Sequence, residues 1–216
     1  MVFGVVCKNR LSIKIQGRGP YNHCANALTS HDIMTQIKGG PWSRKSAVKR
    51  TMRNKKMIRE VTRDDIPVCV DIIRKSFKTV AEEFGFTEEN APRFTAFATT
   101  EERLMWHMDG EHRPMYVFEY DGVLCGYYSL LIQENNECEL NNVAVLPDYR
   151  HKGIGKKLID HAFSMAKELG CNVMNIGIVE ENVRLREWYE KAGAVHVGTH
   201  KFDFFPFTCG YMKKEL

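Results

Sequence analysis

The chain of 216 residues contains no Cys-x-x-Cys pair, no repeated segment and no long continuous apolar run. Its seven cysteines, at 7, 24, 69, 125, 138, 171 and 209, are scattered and odd in number. That pattern excludes a dense disulfide framework and a thiolate metal site. The cysteines read instead as reduced thiols used as small core residues. Without an unbroken apolar stretch of about 20 residues, no membrane-crossing helix is expected. These absences together set the expectation of a cytoplasmic protein with no membrane partner.

Acidic residues are nearly missing from the first quarter. Residues 1–56 hold 12 Lys/Arg and one acid, Asp32, whereas residues 57–216 hold 19 Lys/Arg against 26 Asp/Glu. The basic segment also lacks periodic apolar residues and is broken at Gly17, Gly19-Pro20 and Gly39-Gly40-Pro41. It reads as a basic, disordered extension, or as translated sequence upstream of a start at Met52 or Met57. A transit peptide shares its composition. Its only aromatics are Phe3, Tyr21 and Trp42, which argues against a nucleic-acid-binding arm. The folded domain is assigned to residues 57–216.

Within that domain the pattern switches between period 2 and period 3.6. Residues 57–61 alternate as a strand, and Thr62-Arg63-Asp64-Asp65 has the form of a capping box. A helix follows, with Ile66, Val70, Ile73 and Phe77 on one stripe. Another is predicted near residues 100–108, capped by Thr99 or Thr100. Two apolar runs around Asp121-Gly122 predict a tight hairpin. Residues 137–145 form a third strand, a helix ends at Gly170, and residues 172–179 form a strand parallel to the third. A helix over residues 182–192 and two strands around Pro206 complete the chain.

The run from Val143 to Leu158 carries the chemistry. A strand enters a cationic, glycine-bearing loop that opens a helix, and such a loop aims backbone N–H groups at an anion. It is not a Walker-type loop: Arg150 stands where the first glycine is needed, and Lys157 where a magnesium-binding hydroxyl is needed. It is not a dinucleotide fingerprint either, because Leu158 replaces the third glycine. Arg-x-x-Gly-x-Gly after Val-x-Pro remains.

Residues 145–155 resemble the acyl-CoA loop of the GNAT N-acetyltransferase superfamily. Residues 181–193, Glu-Asn-Val-Arg-Leu-Arg-Glu-Trp-Tyr-Glu-Lys-Ala-Gly, resemble that family's Asn-x-x-Ala-x-x-x-Tyr-Glu-Lys-x-Gly-Phe helix. The order of elements from Met57 onward is also the family's. Leu185 and Ala194 depart from the pattern, at packing positions. The resemblance implies an α/β GNAT-type fold: a mixed, mostly antiparallel sheet with helices on both faces. It implies acetyl-CoA as cosubstrate and no metal.

Site residues follow from the resemblance. The diphosphate of coenzyme A is expected at the N–H groups of His151, Lys152, Gly153, Ile154 and Gly155, with Arg150 and Lys152 as cations and the two glycines taking positive φ. The main chain of Val143, Ala144 and Val145 would pair with the pantetheine arm, next to a bulge that parts two strands. Glu139, six residues before Val145, has the spacing of the general base in some members; an exposed structural glutamate is the competing reading. Tyr189 would protonate the departing thiolate and Asn182 would bond pantetheine. Trp188 reads as packing.

Eight histidines include His196-x-x-x-His200, whose members lie far apart if the segment is a strand, so zinc is not expected. His107 and His112 read as solvated neighbours of a turn. The run Phe202, Phe204, Phe205, Phe207 is expected in the lower core or along the acceptor pocket. The predicted activity is acetyl transfer to a primary amine of a small molecule or peptide, by direct attack in a ternary complex. The alternative is a non-catalytic acyl-CoA sensor or interaction module. A homodimer is compatible with either.

Overall fold

The structure, a computed structural model, describes residues 56–216, Lys56 by its backbone only. The expectations for residues 1–55 lie outside the described residues.

The sheet has seven strands: β1 Lys56–Glu60, β2 Met115–Tyr120, β3 Val123–Ile132, β4 Glu137–Val145, β5 Val173–Val179, β6 Val195–Lys201 and β7 Thr208–Glu215. Their spatial order is β1-β2-β3-β4-β5-β7-β6, with every pair antiparallel except β4–β5. Asp121 and Gly122 both take positive φ, as a two-residue turn between right-twisted strands requires.

Three helices cover one face: α1 Ile66–Phe84, the short α2 Thr95–Ala98, which the sequence pattern did not indicate, and α3 Glu101–Asp109. Two cover the other: α4 Ile154–Glu168 and α5 Val183–Lys191. The capping box before α1 forms. Asp65 accepts from the Thr62 N–H at 2.8 Å and hydroxyl at 2.7 Å, and from both Arg59 Nη atoms at 2.6 and 2.8 Å. This set of donors depresses the Asp65 carboxyl far below the ordinary carboxylate range, the Arg59 hydrogen bonds contributing most.

The sheet divides two apolar cores. Phe118, Tyr128, Leu140, Val143 and Val145 pack against α4 and α5. Val117, Tyr127, Ala144, Phe205 and Phe207 pack against α1, α2 and α3. Phe207 meets Phe86 at 4.9 Å and Phe94 at 5.8 Å, so the late aromatic run is core at 205 and 207. Phe204 stays at the surface beneath Arg93.

Two sequence expectations need correction. His107 is not solvated: it is buried in α3, and burial pushes its imidazole down to about 4, with Arg113 adding to the shift. Its place in the second turn of an amphipathic helix, one turn after buried Leu104, gives the physical reason. Cys209 is disulfide-bonded, whereas Cys69, Cys125, Cys138 and Cys171 are free and buried.

Candidate active site

β4 and β5 pair in register from Glu137↔Val173 to Leu140↔Ile176, and the ladder then stops. β4 continues to Val145 and β5 to Val179. The cause lies in β4 itself. Tyr127 pairs with Ala144 and Ser129 with Asn141, so Asn142 and Val143 together face Tyr128. This is a bulge, with Asn142 at φ 53°. Asparagine tolerates the left-handed region better than most residues, which suits it to that position. Beyond the bulge the side chains of Val143 and Val145 enter one core and that of Ala144 the other. What the strand offers toward β5 is therefore its main chain.

Glu139, one residue before the last rung of the ladder, and Tyr189 of α5 lie on opposite faces of the sheet. Glu139 lies between Cys138 and Leu140, both in the α4-side core, so its half-buried side chain points to the α1 side. Gln133 donates to its Oε2 at 3.2 Å, and Asn141 ties the Glu139 carbonyl at 3.1 Å. Tyr189, in α5, is fully buried in the α4-side core with the Trp188 ring edge-on at 5.1 Å. Burial holds the Tyr189 phenol well above its ordinary pKa, so it stays protonated at neutral pH.

The loop after β4 makes a 3-10 turn at Pro147–Tyr149 and enters α4 at Ile154. The residues in the left-handed region are His151 at φ 61° and Gly153 at φ 75°. Gly155, expected to share that conformation, instead lies in the first turn of α4. The two cations expected to face phosphate are engaged elsewhere. Arg150 donates to the carbonyls of Val145 at 3.2 Å and Ser76 at 3.1 Å, and to the Thr79 hydroxyl at 3.0 Å. It is a strut joining the loop to α1. Lys152 lies over the rings of Tyr149 at 4.7 Å and Tyr120 at 5.7 Å.

Two cavities flank the loop and share Arg150 and His151 in their walls. One, about 190 Å³, runs between α4 and α5 and is lined by Val145, Gly153, Ile154, Gly155, Lys156 and Trp188. The other, about 270 Å³, lies between α1 and α5 and is lined by Thr79, Val80, Glu83, Asn182, Arg184 and Leu185. An ion pair between Glu83 and Arg184 crosses its mouth. Asn182 caps α5 by accepting from the Leu185 N–H at 3.1 Å. Glu180 holds that corner, accepting from Arg186 at 2.7 Å and bonding His196 at 3.0 Å. Among the described residues no group of three potential metal ligands converges.

Sequence reasoning singled out Glu139, Tyr189, Asn182 and the loop. It missed the α1 side, Thr79 and Glu83, whose spacing of four residues places them on one helix face but whose chemistry carries no motif. It also missed Trp188 and Lys156 as cavity walls. Burial keeps the Cys69 and Cys125 thiols protonated, pushed up to about 12 and about 11.

Comparison with known proteins agrees with this geometry. The chain is 24% identical over 154 residues to an uncharacterized N-acetyltransferase of the pepI 3′ region of Lactobacillus delbrueckii subsp. lactis, covering 66% of this chain and 86% of the relative. Its fold superposes on the ribosomal-protein-S18-alanine N-acetyltransferase of Escherichia coli with TM-score 0.60 at 17% identity, over 74% of this chain and 94% of that one. It superposes on the PaiA N-acetyltransferase of Thermoplasma acidophilum, solved in complex with coenzyme A, with TM-score 0.56 at 21% identity, over 75% and 99% of the two chains. The acetyltransferase (GNAT) family profile matches residues 78–194, more than half of the chain, and the protein belongs to that family.

Proposed function

We propose that this protein transfers the acetyl group of acetyl-CoA to a primary amine, of a small molecule or a peptide, by direct attack within a ternary complex. The observation that carries the reading is the opening between β4 and β5, with Glu139 on one face and Tyr189 on the other. Acetyl-CoA supplies the activated acetyl group as a thioester.

The chain's own groups have separable tasks. The N–H groups of residues 151–155 and the positive end of α4 suit a diphosphate. A main-chain N–H of β4 beyond the bulge can polarise the thioester carbonyl, which is an oxyanion-hole role. Glu139 takes a proton from the incoming ammonium, which has no nucleophilic lone pair until it does so. Tyr189, protonated at neutral pH, donates to the sulfur as the C–S bond breaks. Among the described residues the four free cysteines are buried, and for three of them burial holds the thiol protonated. That supports direct attack over an acyl-cysteine relay.

The acidic balance of residues 57–216 favours a cationic acceptor. The test is thiol release from acetyl-CoA across polyamine, aminoglycoside, amino-acid and peptide panels. Turnover with at least one amine is expected. Tight acetyl-CoA binding with no turnover on any acceptor would support the sensor reading instead.

A further inference from the structure

We infer that the protein acetylates itself at Lys213, whose side chain lies across the α1 face of the sheet beside the strand opening. This rests on acetyl-CoA being the donor and adds an acceptor that belongs to the chain itself.

The strand register places the lysine. Glu139 of β4 pairs with Asn175 of β5, and Asn175 pairs with Lys213 of β7, so the three form one row across the sheet. Met212 enters the α4-side core, so Lys213 beside it turns to the α1 side, the face that carries Glu139. Its ammonium reaches β4. Lys213 Nζ lies 3.6 Å from Glu137 Oε1, with the whole width of β5 between the two backbones. At about 4.8 Å per strand the backbones are about 10 Å apart, a span these two long side chains cover together.

Glu137 lies two residues before Glu139 and draws the lysine away from the opening. Leaning the other way by the same distance brings the ammonium level with Asn141 and Gly177. These are the first residues past the last rung, Leu140↔Ile176. Gly177 lies between Ile176 and Ile178, both in the α4-side core, so β5 carries no side chain on the α1 face at that level. Tyr211, opposite Gly177, borders the path. The hold on the lysine is weak. The Lys213 and Glu137 side chains are 46% and 31% exposed, and such a pair contributes little. Asn175 donates to the other Glu137 oxygen at 2.7 Å, so the carboxylate keeps a partner when the lysine leaves.

The Lys213 ammonium gives one proton to Glu139, and the lone pair so freed forms a C–N bond to the acetyl carbonyl carbon as the C–S bond breaks. The departing thiolate takes a proton from Tyr189, and the second proton shed by the nitrogen restores that phenol. One ammonium and one thioester thus give one Nε-acetyllysine, one thiol and one proton released to solvent. The lysine loses its charge, which leaves the α1 face more acidic.

Peptide mass spectrometry of the full chain, incubated with acetyl-CoA and no added amine, tests this. Lys214 is the internal control: it is the next residue, turned to the opposite face over the Phe163 ring at 5.9 Å. Lys213 should gain one acetyl group at a rate constant independent of protein concentration, at least about tenfold faster than Lys214. Glu139→Gln and Tyr189→Phe should each slow Lys213 by at least about tenfold and leave the background at Lys214 unchanged. Glu137→Gln, which releases the lysine, should speed it about threefold. Equal acetylation of Lys213 and Lys214, a rate constant that rises with protein concentration, or an unmodified Lys213 in a protein that does acetylate an amine of the panel would overturn the inference. If neither Lys213 nor any amine is acetylated, the transfer reading itself falls, and this one with it.

Discussion

Leu140 of β4 and Ile176 of β5 form the last rung of a parallel ladder whose strands both continue beyond it. Everything proposed for the site depends on the gap above that rung. Asn142 creates the gap by inserting one extra residue opposite Tyr128.

Asn142 should therefore tolerate glycine and reject a β-branched residue. Its backbone lies at φ 53°. Asn142→Gly should keep the bulge, shift stability by no more than about 1 kcal/mol and retain most activity. Asn142→Val must either hold a left-handed conformation or close the bulge. It should lose about 2 kcal/mol by denaturant unfolding and most of its activity.

Tyr189→Phe should lower kcat about a hundredfold while changing the acetyl-CoA dissociation constant less than about threefold. Initial rates of thiol release, together with calorimetric binding, separate the two effects. An unchanged kcat would remove the tyrosine from the proton path.

Glu139→Gln should lose on the order of a hundredfold in rate near pH 7 and recover part of it above about pH 9, where the amine begins to deprotonate unaided. The pH–rate profile should move upward. A uniform loss across the whole range would leave Glu139 a structural partner of Gln133.

Acid unfolding should show two windows with different owners. His107 has a folded-state pKa lowered to about 4 by burial, with Arg113 and Arg103 opposing its charge and Glu111 favouring it. The unfolded chain thus binds the extra proton first. Stability should fall by on the order of 3 kcal/mol as pH drops from about 6.5 to 4, then level off for this group. Asp65 is the opposite kind of group: its depressed pKa contributes stability present above about pH 4 and lost progressively below it. His107→Gln should flatten the upper window alone and Asp65→Asn the lower. Urea midpoints measured at intervals from pH 7 to 2.5 check the separation.

The sequence made most of this legible where chemistry is local. Asp121-Gly122 dictates its hairpin through backbone conformation alone, and the Arg-x-x-Gly-x-Gly run marks the loop that turns from β4 into α4. What stayed hidden was long-range. Whether Arg150 faces phosphate or α1 depends on Ser76 and Thr79, more than 70 residues earlier. Lys152 meets Tyr120 across the hairpin, a contact no neighbouring residue implies. His107 is adjacent to a turn in sequence but sits one helical turn beyond buried Leu104. Trp188 looked like packing for Tyr189, and it does pack there, yet a cavity runs along it.

The central claim, that the gap between β4 and β5 is where an amine takes an acetyl group, is tested most directly by product analysis. The full-length protein is incubated with acetyl-CoA and an amine panel, and free thiol and N-acetylated amine are quantified together. One N-acetylamine per thiol released, at a rate cut about a hundredfold in Tyr189→Phe, is the expected result. Saturable acetyl-CoA binding with no N-acetylated product from any amine would contradict it.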